Sequence, residues 1–241
     1  MRKLESQIIL SLGKSPKSLW ELLEENKFPL KDFIATVNRL YTEALISCKD
    51  EKIILTEKGK ERLNKEELEF ETRICDKCEG KTVLFDGKFK MILEEFKKIS
   101  KKRPVPDLNY FQGYMRENDV FSRIALMHHY SDVYRKDFIL IGDDDLLSVA
   151  LSLTKLPSRI LVLDIDGRLS TFLKEVNREY GFNIEFLKYD VKDPLPQELV
   201  GKFDVFSSEP LESLSGLKAF VLRGIVSLKK EGVGYFGLTT C

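Results

Sequence analysis

The chemistry of this chain is concentrated in acids of its second half. Gly142-Asp143-Asp144-Asp145 sets three carboxylates behind one glycine, where a nucleotide-binding fold would turn from strand into helix. Acids crowded into one turn repel each other, and either destabilise the loop or acquire raised pKa values. A solvated helix start welcomes negative charge, which accounts for one or two of them but leaves three in excess. The functional reading is a cation site, for a metal or a polyamine. A phosphate ligand is disfavoured, because the carboxylates oppose the attraction a helix N-terminus offers to an anion. An S-adenosyl ligand, cationic at sulfur and free of phosphate, is compatible.

Further acids follow the same rule of position. Leu163-Asp164-Ile165-Asp166 ends an apolar run, and an acid there can accept both ribose hydroxyls, with Asp164 the choice and Asp166 its neighbour. Asp190, after Lys188-Tyr189, is placed to accept from an adenine amino group. Glu209 and Glu212 add two carboxylates facing the same crevice, after the run Phe203–Phe206. His128 and His129 end an amphipathic helix away from these loops and are expected to be ordinary helix-end residues.

These acids need a scaffold that gathers them. From residue 107 apolar strands alternate with helices: strands at Phe138–Gly142, Ile160–Leu163, Ile184–Tyr189, Phe203–Phe206 and Gly234–Leu238, helices at Asp119–Tyr130, Leu146–Thr154, Leu169–Tyr180 and Leu211–Ser227. Such alternation predicts a doubly wound parallel α/β sheet, Rossmann-like and of the S-adenosylmethionine methyltransferase type, with ligands at the carboxyl ends of its strands.

Residues 1–65 read differently, as three helices and a short hairpin, an arrangement that resembles a winged helix-turn-helix domain. Ser18 with Glu21 forms a capping box for the second helix. The third helix offers Lys31 and Arg39 but also Asp32 and Glu43, so contact with protein or a second copy is expected ahead of DNA. Residues 66–106 hold Cys75-Asp76-Lys77-Cys78-Glu79-Gly80 and a helix over 88–99, with a boundary expected near Pro104 and Pro106. No second ligand pair follows at zinc-ribbon spacing, so a reduced turn is expected there, a metal shared by two chains being the alternative.

Composition agrees with a folded protein: 43% hydrophobic, 32% charged, with no apolar run of about 18 residues to span a membrane. The start carries an acid and no long apolar stretch, so no secretory signal is expected, and few cysteines suggest a reducing cytoplasm. Abundant Lys and Glu would suit a thermophile. Lys+Arg and Asp+Glu balance at 39 each, yet residues 1–106 hold 23 basic and 19 acidic side chains (+4) and residues 107–241 hold 16 and 20 (−4).

The motifs Gly142-Asp143-Asp144-Asp145-Leu146 with Ser148-Val149-Ala150-Leu151, Val162-Leu163-Asp164-Ile165-Asp166 with Arg168-Leu169, Leu217–Val221 with Arg223-Gly224, and Gly234-Tyr235-Phe236-Gly237 resemble those of the branched-chain polyamine synthases, the N4-bis(aminopropyl)spermidine synthases. The resemblance covers most of residues 105–241, and that family also has an N-terminal winged helix and a cysteine knuckle. It implies aminopropyl transfer from decarboxylated S-adenosylmethionine, a co-substrate rather than a resident cofactor, to the secondary amine of spermidine. On that basis Asp144 is the base, Gly142, Asp143, Asp164, Asp166 and Asp190 serve the adenosyl compound, and Asp145, Glu209, Glu212 and Gln112 serve the polyamine. No metal is implied, and a homodimer is expected. The chain departs from the family at Phe111-Gln112-Gly113, where an acid gives way to a ring, and at Glu209-Pro210-Leu211-Glu212-Ser213, where the first acid is longer. It also stops at Cys241, where family members continue. Rival readings are an S-adenosylmethionine-dependent methyltransferase, whose substrate carboxylate the triple-acid turn would repel, and a polyamine-sensing winged-helix regulator without catalysis.

Overall fold

The computed structural model describes residues 3–78 and 83–238, apart from the side chain of Asp76, so Glu79 and Gly80 of the cysteine knuckle and Cys241 lie outside the described residues. The chain forms two compact units, Met1–Glu71 and Thr72–Cys241.

In the first unit α1 (Lys3–Lys14), α2 (Leu19–Glu24) and α3 (Leu30–Thr42) precede the hairpin of β1 (Ile46–Lys49) and β2 (Lys52–Leu55), then the short α4 (Glu57–Lys60) and α5 (Lys65–Leu68). Leu4, Ile8, Ile9 and Leu12 recur at helical spacing and bury one face of α1 in a cluster with Phe33 and Leu40 of α3, Leu45 just before the hairpin, and Ile46 and Leu55 of the hairpin. The Ser18 capping box forms: Glu21 N–H donates to Ser18 Oγ at 3.2 Å and Ser18 N–H to Glu21 Oε2 at 2.6 Å. Glu5 is 3% exposed and accepts from Arg39 and Arg62 at 2.9 and 3.0 Å.

The second unit continues with β3 (Phe70–Ile74), in which the division falls, paired with β4 (Val83–Gly87), then α6 (Lys88–Ser100) and α7 (Glu117–His129). β5 (Asp137–Ile141), α8 (Leu147–Thr154), β6 (Arg159–Asp164), α9 (Gly167–Tyr180), β7 (Ile184–Lys188), β8 (Phe203–Ser208), α10 (Leu214–Ser227) and β9 (Leu228–Phe236) follow. The sheet runs β7-β6-β5-β8-β9 with every pair parallel. Parallel sheets are covered on their faces, and accordingly β5 is buried from Phe138 through Ile141. α6 packs on α7 and α8, so the segment before residue 104 belongs with the sheet.

Two details differ from the expected pattern. β9 starts at Leu228 rather than Gly234, because Lys229-Lys230-Glu231 conceals it; an edge strand tolerates such charges, and Lys229 bridges Asp137 and Asp204 at 2.9 Å each. His128 is fully buried, edge-on to Phe89 at 5.7 Å, in a cluster with Phe96 and Phe121. Among the described residues no helix is long and apolar enough to cross a membrane.

Candidate active site

From β5 the chain winds outward through β6 and β7, then returns to lay β8 on the other flank of β5. Loops leaving β5 and β8 therefore diverge, and a crevice opens between them at the carboxyl ends of the strands. Arg123, Gly142, Asp143, Asp144, Asp145, Leu147, Ser207, Ser208 and Glu209 line it.

The turn after β5 has unusual backbone. Gly142 has φ +79°, a conformation open to glycine at little cost, and its N–H donates to Leu163 O at 2.9 Å. Leu146 adopts φ +60° although fully buried, a strained position held by its surroundings. Between them the three aspartates point to different fates. Asp143, 3% exposed, turns inward and accepts from Ser148 N–H at 3.0 Å and from the Ser148 hydroxyl. Asp144 and Asp145 are held from the other side by main-chain donors: Gly113 N–H to Asp144 Oδ2 at 3.2 Å and Met115 N–H to Asp145 Oδ1 at 2.5 Å.

Burial makes each of these acids weaker than usual. It raises Asp143 well above the ordinary carboxylate range, with repulsion from Asp164 and Asp145 added. Burial, reinforced by Asp164 and Glu209, pushes Asp144 up to about 6. Asp145 is pushed up to about 7 by burial and by Glu209 and Asp144, against the lowering effect of Met115 N–H and Arg123. Two carboxyls that change charge near neutrality therefore face one crevice, which is the condition for accepting a proton there.

Asp164, 9% exposed and raised by burial, accepts from Asp143 N–H at 3.1 Å and Asp166 N–H at 2.8 Å, so it fastens the two turns together. Asp166 caps α9 and pairs with Arg168 at 2.7 Å. Burial alone would raise it, but hydrogen bonds from Arg168 and Gln112 hold it below the usual range. Gln112 Nε2 donates to Asp166 at 3.0 Å while its Oε1 accepts from Asp107 N–H at 2.9 Å. Residues 112–115 thus form a strap across the acidic turns, and Arg103 stacks 3.6 Å over the Tyr114 ring beside it. Phe111 stands outside, 75% exposed.

The structure brings together Gly142, the three aspartates, Asp164 and Glu209, with Asp166 and Gln112 in a contiguous hollow that also includes Asp144. Asp190 sits beyond β7, its carboxylate accepting from Lys192 N–H at 2.9 Å. Glu212, expected in the crevice, is exposed in the turn before α10, which Ser213 caps, and is not among the residues that line the crevice. Three polar lining residues carried no sequence signal. Arg123 of α7 pairs with Glu209, and Ser207 and Ser208 are buried hydroxyls at the end of β8, Ser208 donating to Ile141 O at 2.7 Å. Helical spacing marked only the apolar face of α7, and a serine in a strand is unremarkable by itself. Among the described residues no three His, Cys, Asp or Glu side chains are placed to hold one metal ion; Cys75 and Cys78 are half-buried, and Cys78 Sγ donates to Cys75 O at 3.6 Å.

A five-stranded parallel sheet in the order β7-β6-β5-β8-β9, with acids at its switch point, defines an α/β protein of the Rossmann-like doubly wound class. The branched-chain polyamine synthase A C-terminal domain matches residues 91–241, so the chain belongs to that family. It is 39% identical over 234 residues to the N(4)-bis(aminopropyl)spermidine synthase of Thermococcus kodakarensis, covering 96% of this chain and 66% of that protein. Identity to the enzyme of the same name from Methanocaldococcus jannaschii is 37%, with the same coverage. The crystal structure of the Thermus thermophilus branched-chain polyamine synthase, in complex with N4-aminopropylspermidine and 5'-methylthioadenosine, aligns with a TM-score of 0.62 at 30% identity, over 98% of this chain and 67% of that one. The chain thus spans 66% of the length of the two curated relatives.

Proposed function

We propose that the protein is a polyamine aminopropyltransferase, moving an aminopropyl group from decarboxylated S-adenosylmethionine to the secondary amine of spermidine or a related polyamine. Branched polyamine and methylthioadenosine are the products. The observation that carries this reading is the pair Asp144 and Asp145, with pKa values of about 6 and about 7, at the switch-point crevice. Both substrates are cations, so a carboxylate-lined crevice gathers and orients them. The relatives named above support the same chemistry.

In the proposed step the amine nitrogen forms a bond to the propyl carbon next to sulfur. The carbon–sulfur bond breaks, and its electron pair neutralises the sulfonium as methylthioadenosine leaves. The amine attacks only without its proton, which Asp144 accepts; Asp145 and Glu209 hold ammonium groups of the acceptor. Asp164 and Asp190 serve ribose and adenine at the ends of β6 and β7. Gly142 lets the turn approach the donor, and Asp143, committed to Ser148, shapes that turn. Asp166 and Gln112 keep the strap in place.

Incubating the pure protein with decarboxylated S-adenosylmethionine and spermidine should release methylthioadenosine. Absence of product together with absence of spermidine binding would overturn the assignment. For the first unit we infer a winged-helix arrangement that meets protein, such as a second copy, rather than DNA. Arg39, one of the two basic residues of α3, is committed to Glu5 and Glu43, so that only Lys31 stands exposed there, beside exposed Leu30 and Tyr41. Light scattering for mass and a gel shift with duplex DNA separate the two.

A further inference from the structure

The strand order divides the crevice. Asp164 and Asp190 belong to the β6 and β7 side, whereas Ser207, Glu209 and Gly237 belong to the ends of β8 and β9 on the opposite flank of β5. Two features of the β8 side are unaccounted for by a cluster of acids. Ser207 is 1% exposed and lines the crevice, yet its hydroxyl has no hydrogen-bond partner. A buried hydroxyl left unpaired is costly, and in a ligand crevice it marks a group whose partner arrives with the ligand. The second feature is Arg123, the one basic side chain among the described residues that line the crevice, drawn in by Glu209. Gly237 lies against the pair: a Cβ there would come 2.7 Å from Glu209 Oε1 and 2.8 Å from Arg123 Nη2, the ends of the two side chains.

We propose that Ser207 and the Arg123–Glu209 pair form the subsite for an N–H-bearing amine of the acceptor, a deepening that rests on the aminopropyl-transfer reading above. The amine N–H donates a hydrogen bond to Ser207 Oγ, which so gains the partner it lacks in the free protein. Glu209 balances the acceptor's positive charge. Arg123 is a positioning residue: by occupying one side of the Glu209 carboxylate it fixes the direction in which the other side faces the substrate. A site that expects an N–H discriminates against an acceptor analogue lacking one, because the hydroxyl then stays buried and unpaired. The donor, on the β6 and β7 side, does not touch this subsite.

The test compares Ser207→Ala, Arg123→Met, Arg123→Lys and Gly237→Ala in the full chain, by steady-state kinetics and by calorimetry with spermidine and with methylthioadenosine. Ser207→Ala should raise KM for spermidine about three- to tenfold, leave KM for the donor unchanged, and leave the thermal midpoint equal or higher, since it deletes an unpaired hydroxyl. Arg123→Met should raise the spermidine KM about tenfold or more, with partial recovery in Arg123→Lys. Gly237→Ala keeps both charges and displaces only the ends of the two side chains, so its effect should be smaller than that of Arg123→Met. If the wild-type protein binds spermidine without turnover, the same shifts are read in Kd and support the subsite although the transfer reading fails. Unchanged spermidine affinity in Ser207→Ala and Arg123→Met, with the wild type active, overturns the subsite alone. So does a Ser207→Ala that loses stability, which would make the hydroxyl part of the core. A wild type that binds no spermidine overturns both.

Discussion

Asp144 and Asp145 carry opposite consequences for activity and for stability. As a base Asp144 works only when ionised, so kcat/KM should rise with pH through about 6, on the acid side of its profile. Stability runs the other way. A carboxyl whose folded pKa exceeds its unfolded value of about 4 stabilises the fold below that value, and loses the contribution as pH rises through the folded pKa. The window here lies between about pH 4 and the values of about 6 and about 7. Asp144→Asn should therefore abolish methylthioadenosine release while raising stability at pH 8 by about 1–2 kcal/mol, discounted for partial exposure. Thermal melts of wild type and variant at pH 5 and pH 8 check this, and a gain that is larger at pH 5 would reverse the sign of the argument. Asp166 is the contrary case, held low by Arg168 and Gln112, so its contribution is present above the ordinary carboxylate range and lost on acidification.

At the scale of elements, the floor of the crevice depends on how closely α10 and β9 approach β8. The Phe206 ring is sandwiched by two glycines: a Cβ at Gly224 of α10 would come within 2.5 Å of it, and one at Gly234 of β9 within 2.1 Å. Close packing transmits such an insertion instead of absorbing it. Gly224→Ala should cost about 1–3 kcal/mol in denaturant unfolding, and Gly234→Ala at least as much. Because Phe206 immediately precedes Ser207, both variants should also raise KM for the acceptor more than KM for the donor. In the first unit Ser18→Ala removes the cap of α2 and should cost about 0.5–2 kcal/mol, without effect on spermidine affinity. Capping was readable in the order Ser18-Leu19-Trp20-Glu21, since it needs only neighbours; the glycines flanking Phe206 were not, because their partner comes from another strand.

For the whole molecule, zero net charge conceals an acidic crevice in one unit. Ligands carrying several positive charges should then bind with strong dependence on ionic strength. Spermidine affinity should fall several-fold between about 50 and 500 mM salt, while methylthioadenosine, which is neutral, should be little affected. Isothermal titration at the two salt concentrations makes the comparison. Equal salt sensitivity for the two ligands would place the polyamine away from the carboxylates.

Local order along the chain determined a good deal of this. Alternating apolar strands and amphipathic helices specified a parallel α/β sheet, and strand-end position selected Asp144, Asp145, Asp164 and Glu209 as candidates, because both signals are written in near neighbours. Direction and partnership belonged to the tertiary structure. The strand order β7-β6-β5-β8-β9 sets Glu209 beside a turn more than sixty residues earlier, and α7 delivers Arg123 to it. Left-handed backbone at Gly142 and Leu146 sends Asp143 inward to Ser148 while Asp144 and Asp145 face the crevice, whose lining does not include the exposed Glu212. Three consecutive aspartates are chemically identical in a sequence. Which one turns inward to Ser148, and which two are held by main-chain donors at the crevice, depends on dihedral angles and on desolvation by residues distant along the chain.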